Sequence, residues 1–312
     1  MPVRVTSLQL LAGVALDLLF ADPGWLPHPV RGLGWTTGKW EGMWRSTGMP
    51  LRWAGLGFAV STIAVAVTVV LATAAWLPQP WANIYWIFSL LALRGLDLEA
   101  ARVIGRLRAG DLEGARSRLS MIVGRDTLAL DEPEIVRAAI ETVAENLSDA
   151  VIAPLFYLAL GGPAAMAAYK AVNTLDSMVG YRNQRYREFG WASARMDDAA
   201  NFVPARLSAG LVWLAALVTA KNAARSVRVT LRDAHRQPSP NSGYPEAAVA
   251  GALGVRLGGL NFYGGISSWK EYLGDPIHPL DARAFAGTRR LLYVSSLLFV
   301  AILSWWLPWE WA

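Results

Sequence analysis

The chain has 312 residues, a formal net charge of +5, 15 tryptophans and no cysteine. With 54% hydrophobic and 17% charged residues it is too apolar for two soluble domains of that length, and it reads as an all-α, polytopic membrane protein forming one membrane-embedded domain over 1–312. The absence of cysteine excludes disulfides, a thiolate nucleophile and Cys-based zinc or iron–sulfur sites. The basic residues flank apolar runs, where lipid orientation accounts for them, so nucleic acid is not an expected partner.

Arg4 precedes an apolar run, but Asp17 interrupts it and no small-x-small cleavage site follows, so Val5 to Phe20 is expected to be a retained helix. At 1.5 Å per residue it covers roughly 24 Å, short of the ~30 Å hydrocarbon core. Trp53 to Leu77 carries no charge and has an indole at or near each end, the clearest span in the chain. Pro78, Gln79 and Pro80 then break the helix, and Trp81 to Leu93 returns as a shorter apolar stretch closed by Arg94.

From 94 to 149 the pattern becomes amphipathic, and the segment is expected to lie on the membrane surface as a helical insertion. Leu96, Ala100, Val103, Ile104 and Leu107 recur at helical spacing, Asp111 caps a second helix, and a third is expected near Asp131, with Pro133 in its first turn. Val151 to Leu160 and Pro163 to Val172 are divided by Gly161 and Gly162, which predicts two short helices or a re-entrant hairpin. Leu207 to Ala220 is a further apolar run. Lys221, Arg225, Arg228, Arg232 and Arg236 follow it, which places 221–290 in the cytoplasm as a loop region. Arg289 and Arg290 precede the last run, Leu291 to Leu307, and the membrane-inserted segments expected in all number four to six.

Polar residues concentrate between Gly124 and Arg206, where burial beside apolar spans would be costly, so an aqueous working site at the membrane boundary is expected. Glu141, Glu145 and Asp149 stand at i, i+4 and i+8. One helix face would carry all three, either as ligands of a divalent cation or as a solvated acidic row paired with Arg137. Asn146 adds an amide beside them. Asn173 and Asp176 lead into Tyr181 and Arg182, a carboxylate and amide followed by guanidinium groups that suit a Mg-phosphate, or else a helix end with cations complementing its dipole. Asp197 and Asp198 are expected before a helix entering the membrane at Asn201, where N-capping explains one of the two. Asp233 stands two residues from His235, a spacing at which a carboxylate can tune an imidazole base. The glycines between Gly258 and Gly265 either admit a ligand to the backbone or form a turn, and no phosphate-loop motif occurs anywhere.

The order of these motifs resembles the cobinamide (adenosylcobinamide-phosphate) synthase family of cobalamin biosynthesis. The residues carrying the resemblance are Asp22-Pro23 and His28-Pro29-Val30-Arg31; Gly124-Arg125-Asp126-Thr127; Glu145-Asn146; Tyr169-Lys170 and Asn173-Thr174; Asp176-Ser177 and Gly180-Tyr181; Arg195 and Asp197-Asp198; Pro204 and Arg206; and Ser239-Pro240-Asn241 with Gly243, Pro245 and Glu246. Ser148-Asp149-Ala150 departs from the Asp-Gly expected there. The resemblance implies joining the free propionate of cobyric acid to (R)-1-amino-2-propanol O-phosphate or a related aminoalcohol, with ATP and Mg²⁺. It implies an inner-membrane location, corrinoid and aminoalcohol phosphate substrates, and association with other corrinoid-pathway membrane enzymes. Under it Glu141, Glu145, Asp149 and Asp176 include the metal ligands, and Asp197 with Asp198 or Asp233 with His235 supplies the base. Arg125, Asp126, Asn146, Lys170, Asn173, Tyr181, Arg182, Arg195, Asn201, Arg206, Asn241, Glu246, Asn261 and Tyr263 contact substrate. Rival readings are a transporter, which would bind at the bilayer midplane on broken helices, and a non-catalytic membrane sensor.

Overall fold

The computed structural model describes residues 5–23, 29–181 and 183–309, so Arg182 and His28 lie outside the described residues. The chain is mainly α-helical and divides into two compact units: 1–92, 153–202 and 300–312 form the first, and 93–152 with 203–299 the second.

In the first unit, α1 (Ser7–Phe20) begins at Thr6, whose hydroxyl accepts from the Gln9 N–H while the Gln9 side chain accepts from the Thr6 N–H, a reciprocal capping box. α2 (Pro29–Arg45) lies against α3 (Leu51–Trp76), and the indoles of Trp40 and Trp44 both donate to Ser61 Oγ. Close approach at α3 is made possible by Gly55, where a Cβ would stand 1.9 Å from the Phe189 carbonyl oxygen. Phe58 and Phe189 meet at 5.2 Å within a core that includes Ala54, Leu175 and Val179. α4 (Trp81–Leu90) is the short return helix expected after the proline break. α8 (Ala153–Val179) is broken at Gly161 and Gly162, the latter with φ of 69°, so the diglycine divides the apolar run into two helical pieces as its sequence predicts. α9 (Trp191–Ala200) completes the unit and contains Asp197 and Asp198 in its body, so neither takes the N-cap role expected of one of them at the helix that follows Asn201. The apolar helix expected there does form, but a separate short helix precedes it and takes up both aspartates.

The second unit opens with the expected hairpin of α5 (Leu93–Arg108) and α6 (Leu112–Leu119), where Asp111 accepts from the Gly114 N–H. α7 (Glu132–Leu147) begins at a capping box between Asp131 and Glu134 and packs Ile135 and Ala138 against Val103, Ala115 and Leu119. It leaves α-helical geometry through a π-turn at Ser148–Ile152. Buried Asp97 on α5 accepts from Tyr293 at 2.8 Å and from Arg289, which tie it to α13 (Ala282–Trp306). Burial pushes its carboxyl upward, but hydrogen bonds from Arg289 and Tyr293 hold it below the usual range.

Most of α10 (Phe202–Val218) belongs to this unit, and 221–290, expected as a loop, is folded. It contains α11 (Ala223–Asp233), α12 (Gly243–Leu253) and an antiparallel hairpin of β1 (Leu257–Tyr263) and β2 (Ile266–Leu273), with Tyr263 opposite Ile266. Gly264 and Gly265 make the two-residue turn, both at positive φ. A membrane protein needs internally satisfied backbone, and among the described residues three helical stretches are long and apolar enough to cross: Leu51–Trp76, a window within Glu132–Val179, and Ala282–Trp306. A fourth forms if α9 and α10, bent by 42°, count as one span. α1 is too short by length.

Candidate functional site

Each unit gathers part of the polar series. In the first, Tyr169 and Asn173 are one helical turn apart on α8, as are Asp197 and Asn201 at the end of α9, so the two pairs face each other in register. Tyr169 Oη donates to Asn201 Oδ1 at 2.8 Å, Asn201 Nδ2 donates to Asp197 Oδ2 at 3.1 Å, and Asn173 Nδ2 donates to Asp197 Oδ1 at 3.4 Å. Tyr157 stacks on Tyr169 with centroids 5.0 Å apart and donates to the Ala200 carbonyl. Asp198 and Arg195 face a cavity of about 470 Å³ shared with Tyr181 and Arg52. Asp176 packs against Gly180, where a Cβ would fall 2.0 Å from its Oδ1, and Lys170 lines a separate, largely apolar cavity of about 420 Å³.

In the second unit the loop 124–127 grips the β-hairpin. Asp126 accepts the N–H groups of Gly264 and Gly265 at 3.1 and 2.7 Å, and its own N–H donates to the Phe262 carbonyl. Arg125 bridges Asn261 Oδ1, at 2.6 Å, and Glu141 Oε2. Glu141 Oε1 accepts from the Gly258 N–H at 2.8 Å and from Arg137 at 3.3 Å, and Arg137 also donates to the carbonyls of Gly258 and Leu260. Burial opposes the Arg125 charge, yet Glu141 keeps its guanidinium above the usual range.

Glu141 therefore holds the hairpin through two arginines, as the ion-pair alternative to metal binding expected in part. What the sequence did not anticipate is its burial, at 2% exposure. Both of its oxygens are engaged, so they do not fit a Mg²⁺ ligand set. Among the described residues no three His, Asp or Glu side chains group as metal ligands. Glu145, half-buried one turn further, and Asp149 in the π-turn are the other two of the acidic row expected from the sequence, and one or two carboxylates are what Mg²⁺ takes from protein when phosphates complete its shell.

Glu246 on α12 is 1% exposed and neither carboxyl oxygen has a hydrogen-bond partner. Burial pushes it up to about 8, against the pull of Lys270 on β2 and with the repulsion of Glu145 and Glu141. Lys270 in turn is held above its ordinary value by Glu246. Burial is the larger influence on Glu246, because no hydrogen bond joins the two. Lys270 was not singled out from the sequence; the two glycines between two strand-like runs were the signal that would have placed it on a hairpin facing α12.

The expected Asp233–His235 pair does not form. Asp233 gives its oxygens to Arg232, Arg236 and the Gly274 N–H, whereas His235 is exposed, because the chain passes from α11 into a 3₁₀ turn that sends i and i+2 apart. Burial pushes the Asp233 carboxyl upward, but the Arg232 hydrogen bond and the Gly274 N–H hold it below the usual range. Arg206 lies 4.1 Å over the Tyr244 ring and donates to its hydroxyl. The Asn241 N–H donates to Ser239 Oγ, Asn146 donates back to the Thr142 carbonyl, and Tyr263 ends β1 half-exposed.

These features define a polytopic helical membrane protein with a polar site in each unit, one of them built on charged residues. A family model described as "CobD/Cbib protein" matches residues 10–292. Relatives named "Cobalamin biosynthesis protein CobD" include those of Pelobacter propionicus, 47% identical with 94% of this chain and 93% of the relative covered, and Geobacter metallireducens, 49% identical with 94% of each. That of Rhodobacter capsulatus is 41% identical, covering 95% of this chain and 97% of the relative. The chain belongs to the CobD/Cbib family. No solved structure matches it.

Proposed function

We propose that this protein acts in cobalamin biosynthesis as a multi-pass inner-membrane ligase, forming an amide between the free carboxylate of cobyric acid and (R)-1-amino-2-propanol O-phosphate or a related aminoalcohol. The observation that carries the reading is the family match, which spans nearly the whole chain and all three polar segments. A carboxylate does not acylate an amine unaided, and Mg–ATP, when bound, supplies the phosphoryl group that lets one carboxylate oxygen depart as phosphate. In the second unit Glu145 and Asp149 would hold that ion.

The amine must attack deprotonated, so a carboxylate has to receive its proton as the C–N bond forms. Asp233 is tied to two arginines, which favours Asp197 and Asp198 over the Asp233–His235 alternative. Asp198 faces a cavity in which Arg195 supplies a guanidinium for a phosphate ester. Purified protein in nanodiscs, given cobyric acid, the aminoalcohol phosphate and Mg–ATP, is expected to yield the amide with loss of one water equivalent, read by mass spectrometry. No amide, with or without ATP, overturns the reading and leaves the transporter or sensor, of which only the transporter moves corrinoid across a sealed vesicle.

A further inference from the structure

A cavity of about 600 Å³ opens in the second unit among the first turn of α7, the β-hairpin and the segment 276–280. Part of its wall is apolar and aromatic, where Trp269, 51% exposed, stands beside Leu260 and Ile277, and polar groups line the rest. Trp269 meets Tyr272 edge to face with centroids 5.1 Å apart, and the Arg256 guanidinium lies 4.2 Å from the centre of the Tyr272 ring. No carboxylate pairs with Arg256 among the described residues. A guanidinium held against a ring face still has N–H groups to offer a carboxylate, which its fork can bind bidentately. The floor is bare backbone. Gly258 and Gly259 have φ of 84° and 96°, and a Cβ at Gly258 would stand 2.3 Å from the Glu271 carbonyl oxygen.

The other charges on this wall are already engaged. Arg137 is held by Glu141 and two carbonyls, and Glu134 accepts from the Asp131 N–H in the cap of α7. Among the described residues one cation without a carboxylate partner, Arg256, therefore shares the cavity with the aromatic face of Trp269, and His278 is also in the lining. A nucleoside triphosphate carries about four negative charges and needs several cations or a metal-binding carboxylate pair, neither of which this wall provides. A free phosphate would use Arg256 and leave the aromatic wall idle. A large, flat, amphipathic molecule with a single carboxylate uses both.

We propose that this cavity seats the edge of the corrinoid, with its free carboxylate on Arg256 and its macrocycle against Trp269; the assignment rests on the amidation reading above. Arg256 is then a substrate-binding residue that selects the acid over its amide.

The test is titration of the full chain in nanodiscs with cobyric acid and with cobinamide, the same macrocycle with that carboxylate capped as an amide, read by quenching of tryptophan fluorescence. Arg256→Gln is expected to weaken cobyric acid about ten- to hundredfold, the range for losing a charge-assisted hydrogen bond, and to leave cobinamide unchanged. Trp269→Leu is expected to weaken both, and Arg256→Lys to recover part of the acid's affinity. Unchanged cobyric acid binding by Arg256→Gln overturns the proposal, as does an equal loss for both corrinoids. Loss of a fluorescent ATP analogue with cobyric acid retained would give the cavity to the nucleotide and also overturn it. A wild-type protein that makes the amide while Arg256→Gln behaves normally sinks this assignment alone, whereas a wild type that neither binds corrinoid nor makes amide sinks both readings.

Discussion

In the first unit α8 meets α9 through a tyrosine, two amides and one carboxylate, whereas in the second α7 meets the β-hairpin through two arginines, a glutamate and an asparagine. Each network buries polar groups beside apolar packing, where an unmet donor or acceptor costs about 1–3 kcal/mol and an unmet charge more. In the amide network Asp197 accepts from two separate amide donors, so moving one leaves the other in place. The charged network has no such tolerance, because removing Glu141 strands two guanidinium groups. The second network is thus a fixed scaffold that sets the hairpin against α7, and the first is the one able to rearrange around a ligand.

The comparison breaks most sharply at Glu141. Glu141→Gln keeps the shape and removes the charge that Arg125 and Arg137 share, and breaking a buried pair by removing one partner costs about 3–5 kcal/mol. Thermal unfolding in detergent is expected to show the largest drop of any variant considered, with hydrogen exchange accelerating first in the β-hairpin. A stable variant that loses only nucleotide-dependent turnover would instead make Glu141 a metal ligand.

Asp197→Asn tests the adaptable side. One oxygen can still accept, so the expected stability loss is about 1.5–3 kcal/mol, the scale of a hydrogen bond to a charged group. Catalysis should suffer far more if Asp197 receives the amine proton, by about 10²–10⁴ in rate. Amide formation and thermal unfolding measured on the same sample separate the two effects; equal, modest losses would leave Asp197 as a helix-joining residue.

Much of the first unit was readable because its signals are local. The uncharged Trp53 to Leu77 run, the proline break, and the diglycine at Gly161 and Gly162 each act within a turn or two of chain, and α3, α4 and the break in α8 follow from them. The second unit was harder because its site is made by non-local pairing. Arg125, Glu141 and Asn261 meet across 136 positions of sequence, and neither Lys270 nor Arg256 sits in a recognisable motif. Asp233 shows the opposite failure, a local spacing that looked catalytic and is instead occupied by arginines and a backbone N–H. The basic series after Lys221 drew attention to charge and hid the fact that the segment folds into helices and a hairpin. Leu257 to Tyr263 and Ile266 to Leu273, joined by two glycines, carried a hairpin pattern that the glycine-loop reading passed over.

The hairpin turn offers a smaller test of the same scaffold. Asp126→Ala removes the carboxylate that accepts from Gly264 and Gly265, both exposed, so the expected cost is about 1 kcal/mol. Faster amide exchange at those two glycines, with α7 unaffected, is the expected signature; protection unchanged at the turn would mean that the strand ladder alone fixes it.

Glu246→Gln should have the least effect near pH 4 and a growing one up to about pH 8. The folded protein holds the Glu246 proton up to about pH 8, well above the ordinary value of 4.5, so between those limits the native state binds a proton that the unfolded chain has released. Stability from this group is full below about pH 4.5, declines as pH rises toward 8, and is level beyond. Glutamine mimics the protonated carboxyl and does not titrate, so the wild-type and variant unfolding curves should nearly coincide at about pH 4 and separate steadily as the pH rises to about 8, the variant becoming the more stable. Lys270, which favours an ionised Glu246, works against this trend, and Lys270→Met should therefore extend the decline to higher pH. Curves that stay parallel from pH 6 to 8.5 would mean that Glu246 is ionised throughout, with Lys270 outweighing burial, and the second unit would then hold a fully charged core.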